Sequence, residues 1–208
     1  MIYGGSTDGY SNRARKAWSR RELLGISSMG GEEKPTNSFG PQDLQGVSLH
    51  HNDALVIQAK ITNYDIRRVF VDSGSSVNVI FQGALDQMDL KDYKLEPVET
   101  TMFGFAGHSI HPGGARGEIV LPLTVGYGDL RKSVMTTFSM VDAASSYKFI
   151  LGRPAMNTFK AVASTYHHKI KLSVRVRIGE VQGDQPSSRK CYVETIRIEK
   201  RWQEWMDI

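Results

Sequence analysis

The sequence predicts an all-β domain, folded as a closed barrel with one or two short helices and preceded by a flexible N-terminal extension. Short runs rich in branched and aromatic residues follow one another closely between residues 54 and 178. Only two segments within that range show helical periodicity. Residues 1–48, in contrast, are rich in Gly, Ser, Asn and charge and lack apolar periodicity. Closely spaced strands with few helices are typical of barrels.

The barrel elements are predicted, in chain order, from runs rich in branched and aromatic residues. Strands are expected over these ranges: Ala54–Ile61, Tyr64–Asp72, Val77–Phe81, Val98–Phe105, Glu118–Val125, Val134–Val141, Tyr147–Leu151 and Lys169–Ile178. Short helices are expected over Gln82–Leu90, where Leu85 and Met88 lie three apart, and over Arg153–Phe159. A short turn at Thr62–Asn63 joins the first two strands, and Gly126–Asp129 is typical of a hairpin turn.

Composition divides the chain into three predicted segments: a flexible basic and polar extension over 1–48, the barrel domain over 49–178, and a polar linker and tail over 179–208. The extension carries five basic residues between Arg13 and Arg21. Such a cluster is typical of a solvated flexible arm, and weak, salt-sensitive RNA contact is the alternative.

Charge and cysteine content exclude several classes of protein. The formal net charge of +4 is mild and does not by itself require a nucleic-acid partner. A single cysteine, Cys191, excludes a disulfide framework and a multi-cysteine zinc site, and the His50–His51 and His167–His168 doublets lack ligand spacing with it. We therefore expect neither a metal nor a cofactor.

No run reaches membrane-spanning length and Met1–Gly5 is not a signal peptide, so we expect no membrane contact and a place in the cytoplasm, a virus-like particle or the nucleus.

Asp72-Ser73-Gly74 is the first candidate for chemistry. It follows the run Arg68–Val71, in which three apolar residues precede the aspartate, and an apolar run that ends in glycine, Phe149–Gly152, comes later in the chain. A carboxylate at the end of a buried strand is costly unless something pairs or uses it. The alternative is an ordinary Asx turn closing a hairpin. The apolar run Val77–Ile80 after the turn favours the functional interpretation.

Several ordered motifs carry a family resemblance: Val69–Ile80, Gly104–Pro112, Leu121–Gly126, Ser146–Pro154 and Lys160–Lys171, with Ile2–Gly5 and Arg189–Val193 at the flanks. In these motifs the chain resembles the protease segment of gypsy-type LTR retrotransposon gag-pol polyproteins, especially those of plants. It is thus similar to the retropepsin-like aspartic proteases over nearly its whole length.

The resemblance implies a retropepsin-like acid protease barrel, an aspartic endopeptidase without cofactor, and a set of site residues. The implied catalytic turn is Asp72, Ser73 and Gly74; the implied substrate-binding flap contains Gly104, Phe105, Ala106, Gly107 and His108; the implied structural support is Leu151, Gly152 and Arg153. The family has a carboxylate where this chain has Ser76, which leaves the bracing partner of Arg153 open.

Aspartic proteolysis needs two carboxylates that share one proton, one acting as base and the other as acid. The chain has one such motif, so the resemblance implies a homodimer with Asp72 from each copy at the two-fold axis, processing its own polyprotein. Lys169–Ile178 is the expected interface strand. The alternative is a catalytically inactive, transposon-derived dimerisation or interaction module.

Overall fold

The computed structural model describes residues 2–3, 36–88, 90, 94–97 and 115–206. The strands are β1 Ile2–Tyr3, β2 Val56–Ile61, β3 Tyr64–Val71, β4 Val79–Phe81, β5 Ala115–Val125, β6 Lys132–Val141, β7 Phe149–Leu151, β8 Ala161–Ser164, β9 Lys169–Val174 and β10 Arg177–Gln182. The helices are α1 Gln82–Leu85, α2 Arg153–Phe159 and α3 Gln185–Met206, with 3-10 turns at Pro41–Leu44 and Gly128–Leu130.

Six strands close a barrel in the order β3-β2-β5-β6-β4-β7, and β7 pairs back with β3. The pairs β3–β7 and β4–β6 are parallel, whereas the other neighbours in the barrel are antiparallel. β1 pairs antiparallel with the first half of β3, opposite Asp65 and Ile66. The predicted fold class is confirmed: the domain is all-β and closed, and α1 and α2 are the short helices expected within it.

The core fills the inside of the barrel with side chains from alternating strand positions. Its largest fully buried members include Ile57, Ile61, Leu121, Phe138 and Phe149, and the two phenylalanine rings meet edge to face at 5.3 Å. Each side chain of this size contributes about 1.5–3 kcal/mol by leaving water. Burial alternates with a period of two over Ile57–Ile61 of β2 and over Tyr64–Arg67 of β3. After Arg68 the alternation in β3 resumes one position later, with Val69 and Val71 buried.

β8, β9 and β10 form a second, antiparallel sheet in which β9 is the central strand. The predicted single strand Lys169–Ile178 is wrong, because the chain turns back at Arg175–Val176 and continues to Gln182. Arg175 has a left-handed φ of 54°, a conformation that usually selects glycine. Because this position holds an arginine, the sequence contains no glycine to mark the turn. The apolar alternation of Val174 and Val176 also runs through the turn and conceals it.

The C-terminal segment is a helix, where the sequence predicted a polar linker and tail. α3 has 22 residues. Its start is capped by Asp184, whose Oδ1 accepts the Ser187 N–H at 2.9 Å, and Pro186 lies in the first turn, where its missing N–H is tolerated. Its few apolar residues gave too weak a pattern to predict it. No helix in the described ranges combines the length and hydropathy needed to cross a membrane.

Contacts cross both predicted domain boundaries. In the predicted extension, Asp43 is only 2% exposed and its carboxylate pairs with Lys169 and Lys171 of β9. Beyond the other boundary, Cys191 of α3 is fully buried. The boundaries at residues 48 and 178 stay predictions, and a fragment cut at both would lose these contacts.

Candidate active site

Strand β3 delivers Asp72 beside the end of β7. Val71 lies opposite Leu151 in the parallel pair, and the Asp72 N–H donates to the Leu151 carbonyl at 2.9 Å. Two apolar strands from distant parts of the sequence thus end side by side at one point of the barrel. The backbone of Asp72 is fixed by this pairing, which leaves its side chain free to project from the strand end.

The Asp72 carboxylate is held by its own turn. Its Oδ1 accepts the Gly74 N–H at 2.9 Å, and the Ser75 N–H donates to the Asp72 carbonyl at 3.1 Å. The carboxylate is half-buried, whereas Ser73 and Gly74 are exposed. Among the described residues, no Lys, Arg or His pairs with this carboxylate. One oxygen is therefore oriented by the backbone, and no cation fixes the charge of the group.

Gly152 allows the second loop to approach the first. A Cβ on Gly152 would lie 2.2 Å from the Val77 carbonyl oxygen, closer than any real contact. The next residue completes the link, since the Arg153 N–H donates to the Ser75 carbonyl at 3.0 Å. A larger residue at position 152 would push the Asp72 loop away from β7.

Asn78 joins three segments beneath the loop, and the sequence analysis assigned it no role. Its Oδ1 accepts the Gly152 N–H at 2.9 Å and the Ala155 N–H at 3.3 Å, while its Nδ2 donates to the Thr137 carbonyl at 3.0 Å. The side chain is only 3% exposed. A polar residue inside the apolar run Val77–Ile80 was the available signal, because a buried amide must find partners.

The support residues predicted from the resemblance, Leu151, Gly152 and Arg153, lie beside the Asp72 loop, and Arg153 contacts that loop through its backbone N–H. Its side chain is exposed, and no described carboxylate lies within ion-pair distance of it. Ser76, at the position where a bracing carboxylate was missing, is also exposed. The predicted flap residues 104–108, the strand Val98–Phe105 and the basic cluster Arg13–Arg21 lie outside the described residues.

No cluster of three or more His, Cys, Asp or Glu side chains in the described part of the chain is arranged to hold a metal ion. The site chemistry there consists of one carboxylate, one adjacent hydroxyl on Ser73, and backbone donors. Such a set can exchange a proton or orient a water molecule, and a second carboxylate is needed to do both in one turnover.

No protein-family model matches the chain, and no curated protein matches it. The solved structures similar to it include two retroviral protease-like proteins. One is the retroviral protease-like domain of Ddi1 from Leishmania major, with 13% identity over 63% of this chain and 93% of that chain, and a TM-score of 0.45. The other is the EIAV protease complexed with the inhibitor HBY-793, with 17% identity over 57% of this chain and 99% of that chain, and a TM-score of 0.39.

Proposed function

We propose that the protein is an aspartic endopeptidase of retrotransposon origin that acts as a homodimer and processes its own polyprotein. The observation that carries the proposal is the Asp72 turn, whose carboxylate is oriented by the backbone at the junction of two parallel strands. An ordinary Asx turn on the surface would not need the additional scaffold that Asn78 and Gly152 provide. The family resemblance of the sequence motifs supports the polyprotein as substrate.

Each chain supplies one half of the catalytic pair. Two Asp72 carboxylates brought close together share one proton, so that one activates water while the other protonates the scissile carbonyl. Ser73 and Gly74 are exposed beside Asp72, which leaves this surface free to meet a second copy. The polypeptide substrate then lies between the two copies.

β8 is the strand that we propose for the dimer contact, in place of Lys169–Ile178. β9 is paired on both sides, so its backbone has no free edge for a partner. β10 already packs against the 3-10 turn Gly128–Leu130, whose Leu130 carbonyl lies 2.5 Å from where a Cβ on Gly179 would be. β8 pairs only with β9 among the described residues, carries no charge, and exposes Val162. An uncharged, unprotected edge strand is prone to pair with another chain.

The alternative, an inactive dimerisation module, is favoured by one observation. The Arg153 guanidinium has no carboxylate partner among the described residues, which do not supply the bracing ion pair that the family resemblance implies. The two candidates share the fold and the dimer but differ in whether peptide bonds are cleaved.

Cleavage of a peptide derived from the flanking polyprotein sequence, with and without pepstatin, tests the proposal. We expect cleavage with an acidic, bell-shaped pH profile, because one carboxylate of the pair must be ionised and the other protonated. Asp72→Asn should reduce kcat by about 10³-fold or more, since the acid–base step is lost. Its fold should persist, as judged by an unchanged melting temperature. Equal cleavage by wild type and variant would refute the assignment of Asp72, and no cleavage by wild type would favour the inactive module.

A further inference from the structure

We propose that helix α3, outside the predicted protease core, is a positioning element that sets the face on which Asp72 emerges from β3. It acts through a contact between Glu194 and Arg68. This inference deepens the proposed function and rests on it, because it concerns the geometry of the same catalytic turn.

β3 contains a β-bulge four residues before Asp72. Opposite β2, Val69 lies across from Ile57 but Ile66 lies across from Ala59, so β3 has one residue more than β2 at this point. Arg68, within the bulge, has a left-handed φ of 64°. This conformation is unfavourable for a residue with a side chain, and it persists only where neighbouring contacts fix it.

The extra residue reverses which positions of β3 face the core. Before the bulge Ile66 is buried, and after it Val69 and Val71 are buried. In a strand without the bulge, the period of two would turn Val69 and Val71 outward. Asp72 follows directly on Val71, so the same shift would carry its side chain to the opposite face. The bulge therefore determines where the carboxylate points.

Glu194 fixes the side chain of Arg68 in the bulge. The guanidinium donates from Nη1 to Glu194 Oε2 at 2.6 Å and from Nη2 to Oε1 at 3.2 Å, a bidentate pair that is partly buried. The Arg68 carbonyl also accepts the N–H of Lys148 at 3.0 Å, just before β7. Bidentate arginine–carboxylate pairs fix orientation as well as adding energy.

The same face of α3 holds the chain that leads into β7. The Cys191 thiol donates to the Ser146 carbonyl at 3.5 Å, and Thr195 shares a hydrogen bond with the Ser146 hydroxyl at 2.8 Å. Glu194 and Thr195 follow Cys191 by three and four residues, so all three side chains lie on one side of the helix. One helix face thus holds both strands that meet at Asp72.

A consequence is that cleavage of the chain between β10 and α3 would lower activity without removing any residue of the catalytic turn. Arg68 and Glu194 are positioning residues in this scheme, since neither reaches the Asp72 carboxylate.

The test uses the full chain and Glu194→Ala, with Glu199→Ala as the matched control, because Glu199 is exposed on the same helix. Hydrogen exchange of the Asp72 amide, which bonds to Leu151, should be about tenfold faster in Glu194→Ala, as expected for loss of a charged hydrogen-bonded pair. We expect kcat to fall by a similar factor with KM unchanged, and Glu199→Ala to match wild type in both measurements.

Arg68→Gly in the Glu194→Ala background separates positioning from simple helix docking. Glycine adopts the left-handed conformation without a side-chain contact, so it should restore slow exchange and most of kcat. Glu194→Gln, which keeps one hydrogen bond, should give an intermediate effect and serves if the alanine variant does not fold.

Unchanged Asp72 exchange in Glu194→Ala, or no rescue by Arg68→Gly, would overturn the inference. If wild type cleaves no peptide, the proposed function fails, yet the exchange measurements still decide whether α3 positions the Asp72 turn.

Discussion

Two aspartates in this protein sit in opposite surroundings. Asp43 is 2% exposed, accepts from Lys169 Nζ at 2.8 Å and from Lys171 Nζ at 3.0 Å, and also accepts the Gly40 N–H. Asp72 is half-buried, accepts the Gly74 N–H, and pairs with no cation among the described residues. The Asp43 carboxylate has its partners within one chain, whereas the Asp72 carboxylate keeps one oxygen open at the surface.

The difference in ion pairing determines how firmly the charge of a carboxylate is fixed. The hydrogen bonds from Lys169 and Lys171 hold the pKa of Asp43 well below its usual range. Burial alone would lower the pKa of each lysine, but the bonds to Asp43 and Glu180 outweigh burial, and the net shift of both is upward. All these groups are therefore fixed in their charged forms at neutral pH. A carboxylate fixed in this way cannot serve as an acid, whereas the Asp72 carboxylate makes no such ion pair among the described residues.

Asp43→Asn should have the largest effect on stability, because it leaves the ammonium groups of Lys171, which is buried, and Lys169, which is partly buried, without their main partner. We expect a loss of about 3 kcal/mol in the free energy of unfolding, as when one member of a buried ion pair is removed. Urea unfolding of the full chain measures it, with the exposed Asp129→Asn as control, which should change stability by less than about 0.5 kcal/mol. A small loss, equal to that of the control, would contradict the structural role given to Asp43.

Val162→Lys tests whether the Asp72 site, unlike the Asp43 cluster, needs a second copy of the chain to be complete. Val162 is 46% exposed on β8, so a charge there should leave the free energy of unfolding of one chain almost unchanged. It should weaken association about tenfold, since a lysine on an edge strand opposes pairing with a second strand.

Sedimentation and specific activity against protein concentration are the measurements for that variant. The midpoint of both curves should move together to higher concentration. Val176→Lys is the matched control, because Val176 is similarly exposed but lies in the β9–β10 turn, away from the β8 edge. An equal shift by both variants would argue against β8 as the interface.

The sequence predicted the strands around Asp72 because the signal is local. Asp72, the two small residues after it, and the runs Arg68–Val71 and Val77–Ile80 lie within thirteen positions. Asp43 carried no such signal, since its partners Lys169 and Lys171 are 126 and 128 residues away. The bulge at Arg68 and the turn at Arg175 were equally hidden, because both use left-handed backbone without glycine. Their conformations are set by tertiary contacts, which local patterns do not encode.

The smallest expected effect is the pH dependence of the Asp43 cluster. The pKa of Asp43 in the folded protein lies below the value of 3.8 for a free aspartate, so folding favours its ionised form. The stabilisation is then fully present above about pH 4 and is lost as the pH falls through the folded pKa.

Because asparagine does not titrate, the difference in unfolding free energy between wild type and Asp43→Asn should be constant from about pH 5 to 7 and narrow below about pH 4. Urea unfolding of both proteins across this range measures it. A difference that widens in acid would mean that Asp43 binds a proton more readily when folded, which two adjacent ammonium groups forbid. The Asp43 cluster should thus remain intact at the mildly acidic pH at which the proposed endopeptidase activity is to be measured.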